Sequence, residues 1–127
     1  MKSKHTLIVA NLLLALLAPL NAVAGHLHPE AYYQAQWCGD HDGTLEVIVE
    51  SGARCDCLTA THAVEFDFAN KWAEAIGQAL HYAAQTGKRA GIVLIMERPE
   101  KDVKYMERLK LTIEAHGLPI DVWTVGE

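Results

Sequence analysis

Apolar and polar positions alternate in several distinct rhythms along this chain, and each rhythm predicts an element. His28 to Gln36 is rich in helix formers, with Pro29 suited to a first helical position and Glu30 to the positive end of the dipole. Trp37 to Gly43 reads as a turn, because Gly39, Asp40, Asp42 and Gly43 cluster there. From Thr44 to Glu50 the period becomes two: Leu45, Val47 and Val49 alternate with Glu46, Ile48 and Glu50. Ser51-Gly52 marks a turn, so Ala53–Thr59 should return antiparallel, and after a bend at Ala60–His62 a third strand should run from Ala63 to Phe68. Asn70 suits the N-cap of a helix from Lys71 to about Thr86, closed by Gly87. Ala90–Met96 is almost continuously apolar, as in a strand buried on both faces. Pro99 starts a helix to about His116 whose Val103, Met106, Leu109 and Ile113 form an inward stripe, and Ile120–Val125 is a last strand. The predicted order is α-β-β-β-α-β-α-β, an α/β domain with a mixed central sheet flanked by helices.

The first 24 residues follow a different logic. Lys2 and Lys4 precede an apolar run from Thr6 to Leu20 broken only by Asn11, and Ala22-Val23-Ala24 supplies small residues at a cleavage point. This predicts a secretory signal over 1–24, a mature chain beginning at Gly25 as one domain over 25–127, and a periplasmic or secreted location. The alternative, an uncleaved anchor, is disfavoured because the apolar stretch falls short of the roughly 20 residues a spanning helix needs. No stable membrane anchor is therefore expected after cleavage. Removing residues 1–24 takes away two lysines and no acid, so the formal charge moves from −5 to −7. An acidic surface argues against a broad electrostatic footprint for nucleic acid but leaves room for a local basic groove.

Export makes a disulfide feasible. Cys55 and Cys57 lie two apart on one predicted strand and should point to the same face, which makes a bond between them awkward. Cys38 paired with either Cys55 or Cys57 is the better expectation and leaves one thiol over. Three buried small hydrophobes are the alternative.

The strand carboxylates carry the chemistry. If Leu58 faces Ala63 across the bend, Asp56 lies opposite Glu65 and Arg54 opposite Asp67, all on one face. On the following helix, Lys71, Gln78 and Tyr82 fall within a narrow stripe with Glu74 beside it, while Trp72, Ile76, Ala79, Leu80 and Ala83 occupy a separate face. Two acids, a lysine and a Gln/Tyr rim suit oxygen ligation of a hard divalent ion. The competing interpretation is a merely solvated sheet face.

At these residues the chain resembles the PD-(D/E)xK nuclease superfamily, the restriction-endonuclease-like and RecB-like enzymes. The resemblance covers about Pro29 to Met96 and rests on Gly43-Thr44-Leu45-Glu46-Val47, Arg54-Cys55-Asp56-Cys57-Leu58 and Ala63-Val64-Glu65-Phe66-Asp67. The stretch Gln78-Ala79-Leu80-His81-Tyr82 is similar to the Q-x-x-x-Y motif of the RecB-like branch. The resemblance implies a restriction-endonuclease-like αβββαβ core with an extra C-terminal αβ unit. It implies Asp56 and Glu65 as ligands of Mg²⁺, with Mn²⁺ as a substitute, and Glu46 as an additional upstream acid. One departure stands out: where the family places lysine two residues after Glu65, this chain has Asp67, and Lys71 is the nearest replacement.

Two functions follow as expectations. The first is an exported, Mg²⁺-dependent nuclease hydrolysing phosphodiesters of DNA or RNA through Asp56, Glu65 and Lys71, supported by Glu46, Asp67, Gln78 and Tyr82. The second is a catalytically inactive nuclease fold serving as a binding or accessory module outside the cytoplasm, favoured by the acidic charge and by Asp67. A third class, a thiolate–histidine metal site from Cys38, His41, Cys55, Cys57 and His62, rests on a weak Cys-x-Cys signal. His26 and His28 beside a new amino terminus offer only loose copper binding.

Overall fold

The computed structural model describes residues 25–127, and the proposed signal segment lies outside the described residues. The elements are α1 (Glu30–Asp40), β1 (Thr44–Ile48), β2 (Arg54–Leu58), β3 (His62–Phe68), α2 (Trp72–Thr86), β4 (Arg89–Ile95), α3 (Pro99–His116) and β5 (Ile120–Val125), with a 3-10 turn over Ala69–Lys71. This is the order the sequence pattern predicts. The five strands form one mixed sheet in sequential order, antiparallel from β1 to β3 and parallel from β3 to β5.

The strands explain the layering. Along β4, Ala90, Ile92 and Leu94 face one side and Val93 and Ile95 the other, so both faces must be covered. On one face α2 and α3 bring Ala75, Ala79, Met106 and Leu109. On the other, α1 lays Tyr33, Trp37 and Cys38 over Val64, Phe66, Val93 and Ile95. That second core corrects the expected turn at Trp37. Trp37 and Cys38 lie one helical turn beyond Tyr33 and Gln34, and continuing the helix buries all four residues. The glycine and aspartate turn signals take effect only at its end.

A disulfide joins Cys38 to Cys57 and leaves Cys55 as a buried free thiol. Closing that loop of about twenty residues stabilises the fold by roughly 3 kcal/mol in the chain-entropy account. Gly43 passes so close to both sulfurs that a β-carbon there would collide with them. Cys55 and Cys57 do not share a face, contrary to the strand-period expectation. Cys57 packs with Trp37, Val64 and Phe66, whereas Cys55 packs with Val49, Ala63 and Tyr82. The alternation fails between them, opposite Glu46, whose backbone is left-handed at φ 53°.

Three smaller expectations also change. Lys71 ends the 3-10 turn, α2 starts at Trp72, and Asn70 provides no side-chain cap. Val103 is 47% exposed, so the inward stripe of α3 reduces to Met106 and Leu109, with Ile113 partly covered. Among the described residues no helix is long and apolar enough to cross a membrane. That fact and the internal disulfide are compatible with an extracytoplasmic protein.

Candidate active site

β2 and β3 pair only at Cys57–Val64 and Leu58–Ala63 before the ladder stops. The Leu58–Ala63 match is the register expected from the sequence. Beyond it the strands part, so Arg54 has no partner on β3 and does not oppose Asp67. Its ladder partner is Ile48 of β1. In the opening, a side chain replaces the missing backbone acceptor: Asp56 Oδ2 accepts the Phe66 N–H at 2.8 Å. The carboxyl of Asp56 thereby comes close enough to that of Glu65 for each to shift the other's protonation.

Glu65 is 4% exposed and Asp67 5% exposed, a rare environment for acids that form no ion pair among the described residues. Glu65 Oε2 is buried with no hydrogen-bond partner. Burial, then the neighbouring Asp56 carboxylate, pushes the Glu65 carboxyl well above its ordinary range. Burial also raises Asp56, partly offset by the Phe66 N–H and by Glu65. Asp67 rises from 3.8 to about 7, through burial first and the charge of Glu30 second, with Lys71 pulling the other way. Two acids coupled this way relieve their repulsion when one of them keeps its proton.

The other expected residues fall around this pair. Tyr82 of α2 is buried beside Glu65 and Cys55, and its hydroxyl donates to Gln78 Oε1 at 3.1 Å. Burial and the nearby Glu65 and Asp56 charges raise the Tyr82 hydroxyl above its ordinary value. Lys71 is exposed, near enough to influence Asp67 and Glu30, yet it forms no ion pair among the described residues. Glu46 is exposed on the edge strand and contributes its charge toward Asp56. Of the expected stripe, Tyr82 faces the carboxylates and Gln78 contacts its hydroxyl, whereas Trp72, Ile76, Leu80 and Ala83 pack on the core.

Sequence reading missed Glu30. It appears there only as a first-turn acid, but α1 delivers it to the cluster, where burial and the Asp56 charge raise its carboxyl. Gln34, itself buried, donates to Glu30 Oε1 at 2.8 Å. The Glu-x-x-x-Gln spacing puts these two on one helical face. Nothing local indicates which sheet face that helix would cover.

The donor set is oxygen-rich and acidic, which suits a hard divalent ion. Among the described residues no group of three or more His, Cys, Asp or Glu is arranged as a ready metal cage. The thiolate–histidine site is overturned on its own geometry, since Cys38 and Cys57 are consumed in the disulfide. Mg²⁺, however, commonly keeps several waters and takes only one or two protein carboxylates. The orphaned Glu65 oxygen next to Asp56 fits that pattern.

Compared with known proteins, the chain matches no family model, no curated protein and no solved structure.

Proposed function

We propose that the protein is an exported nuclease of the PD-(D/E)xK kind, hydrolysing phosphodiesters of DNA or RNA in the periplasm or outside the cell, with Asp56 and Glu65 holding Mg²⁺. One observation carries the reading: a buried carboxylate oxygen without a partner, on Glu65, adjoins a second carboxylate where β2 and β3 separate. An unsatisfied buried acceptor costs about 1–3 kcal/mol or more, so a fold that retains one where two strands part holds it for a ligand. The element order from α1 to β4, with three antiparallel strands and a fourth parallel to β3, is also that of a restriction-endonuclease-like core, and α3 and β5 are the added unit.

When bound, the metal supplies charge stabilisation at the phosphate and a more acidic water. The chain's own residues do the rest. To hold the ion, Asp56 and Glu65 would release to solvent the proton their repulsion retains and would present two carboxylate oxygens. Their geometry is fixed by the Phe66 N–H on Asp56 and by Tyr82, held by Gln78, beside Glu65. Lys71, exposed and without an ion pair among the described residues, would orient the attacking water and face the developing charge on the phosphate. Asp67 occupies the place of the family's lysine but cannot take that role, being an acid among acids.

The second reading, a nuclease fold that binds without cutting, draws on Asp67 in that place. Incubating purified mature protein with labelled single- and double-stranded DNA and with RNA separates the two. The nuclease reading expects cleavage that requires Mg²⁺ or Mn²⁺, is lost in Asp56→Asn and Glu65→Gln, and falls about 10²-fold or more in Lys71→Ala. Binding without metal-dependent cleavage selects the accessory module.

A further inference from the structure

A second polar constellation, sharing no residue with the acid cluster, stands where the parallel strands begin. Parallel pairing sets His62 of β3 beside Arg89 of β4, and Gly91 of β4 beside Asp121 of β5. Strand alternation puts all of these on the sheet face that α1 covers, in line with Val64, Val93 and Trp123. Gly91 leaves a gap among them, because a β-carbon there would lie 2.9 Å from the Trp123 ring and 3.6 Å from the His62 ring. The imidazole therefore reaches over β4, and His62 Nε2 meets Asp121 Oδ2 at 2.7 Å. Arg89 binds both Asp121 oxygens and, with His62, holds that carboxyl below its ordinary range.

The other ring nitrogen is engaged as well: Thr61 Oγ1 lies 2.7 Å from His62 Nδ1. An ionised Asp121 can only accept, so Nε2 carries the hydrogen, and in the neutral imidazole Nδ1 is left to accept from the Thr61 hydroxyl. Hydroxyl, imidazole and carboxylate thus form one line of hydrogen bonds. The bend that carries them is fixed. Thr59 Oγ1 accepts the N–H groups of Thr61 and His62 at 3.3 and 3.0 Å, and Thr61 O accepts the Arg89 N–H at 3.1 Å. Thr61 is exposed, on a hollow of about 190 Å³ that is also lined by the rings of Trp37, His41 and Trp123.

We propose that this constellation is a second catalytic site, in which Thr61 is the nucleophile for hydrolysis of small apolar carboxylic esters. Tying β3 to β5 needs only the His62–Asp121 contact. The exposed hydroxyl on the far nitrogen, over a hollow, adds the member that nucleophilic catalysis requires. Thr61 Oγ bonds to the ester carbonyl carbon as its proton passes to His62 Nδ1, and Asp121 stabilises the imidazolium at Nε2. The ester C–O bond then breaks and the departing alcohol takes that proton. Water adds to the acyl-threonine, giving a proton to His62, which returns it to Thr61 Oγ as the carboxylic acid leaves. Ester and water become acid and alcohol with no change of oxidation state. Two donors on the same bend can serve the carbonyl oxygen: the Ala60 N–H, which makes no hydrogen bond among the described residues, and the Lys88 ammonium, held at Ala60 O at 2.8 Å. None of this rests on the nuclease reading.

Hydrolysis of p-nitrophenyl acetate by the mature protein in EDTA tests the site. The wild type should turn over, and peptide mass mapping of acid-quenched samples should place an acetyl group on Thr61. Thr61→Ala, at an exposed position, should melt as the wild type does yet lose about 10²-fold or more in rate, whereas Thr61→Ser should retain it. His62→Gln should lose a similar factor. Absence of wild-type turnover, turnover that survives Thr61→Ala, acetyl found only on lysine or histidine, or turnover abolished by EDTA each overturns the proposal.

Discussion

Two carboxylate sites in this domain are built on opposite principles. Glu97, just after β4, is buried to 4% side-chain exposure and fully served. It accepts from Tyr33 Oη at 2.7 Å and from the backbone N–H groups of Leu27 and His28 at 3.0 Å each, and it contacts His26 Nδ1 at 3.1 Å. Burial alone would raise its carboxyl, but these hydrogen bonds outweigh it and bring the value from 4.5 down to about 2. Glu65 is equally buried, faces Asp56 and Asp67, and leaves Oε2 without a partner. Its carboxyl moves up instead. The first arrangement ties residues 26–28 to the sheet and stabilises the fold. The second destabilises it, a cost that the proposed metal site would offset.

The largest expected effect comes from breaking the satisfied site. Glu97→Ala strands the buried Tyr33 hydroxyl and frees the 26–28 segment, lowering stability by about 3 kcal/mol in denaturant unfolding. Hydrogen exchange should then show residues 26–28 unprotected. The wild-type contribution has a definite pH window. Because the folded Glu97 value is depressed, it is present above about pH 4.5 and lost as pH falls through about 2.

Breaking the unsatisfied site should do the reverse. Glu65→Gln keeps the volume, removes the cost of holding a buried acid protonated and should raise stability near neutral pH by about 2 kcal/mol, several degrees in Tm. A loss of that size would mean that Glu65 is structural. The pH dependence also has the opposite sign here. Asp67 is raised in the folded state from 3.8 to about 7, so its contribution is present below about pH 4 and declines as pH rises through 7. Asp67→Asn should flatten that decline in unfolding curves collected across this range. Lys71→Ala should change stability by less than about 0.5 kcal/mol, since the side chain is exposed and unpaired, while reducing metal-dependent cleavage.

What could be read from the sequence divides along the same line. Period-two alternation, the Ser51-Gly52 turn and the continuous apolar run at Ala90–Met96 are local signals, and they placed every strand and the Leu58–Ala63 register. They also brought Asp56, Glu65, Gln78 and Tyr82 together. The misses are non-local. Cys55 departs from strand alternation to pack on Tyr82, opposite a left-handed Glu46 whose positive φ has no signal in a non-glycine residue. Glu30 joins the cluster because α1 crosses the sheet, and Glu97 gathers donors from a segment some seventy residues earlier in the chain. Neither has a spacing signature. The α1 helix runs past its turn residues because burying Trp37 and Cys38 outweighs local propensity.

Thermal unfolding of the mature wild type, Asp56→Asn and Glu65→Gln in rising MgCl₂, with MnCl₂ in parallel, addresses the contrast at its root. A ligand that binds only the folded state must raise its apparent stability, by about 2.7 kcal/mol at a hundred times its Kd. The wild type should start as the least stable of the three and climb with metal concentration, while both variants start higher and stay flat. A wild type indifferent to metal, or variants that climb in parallel with it, would contradict the claim that the unsatisfied carboxylates exist to hold a cation.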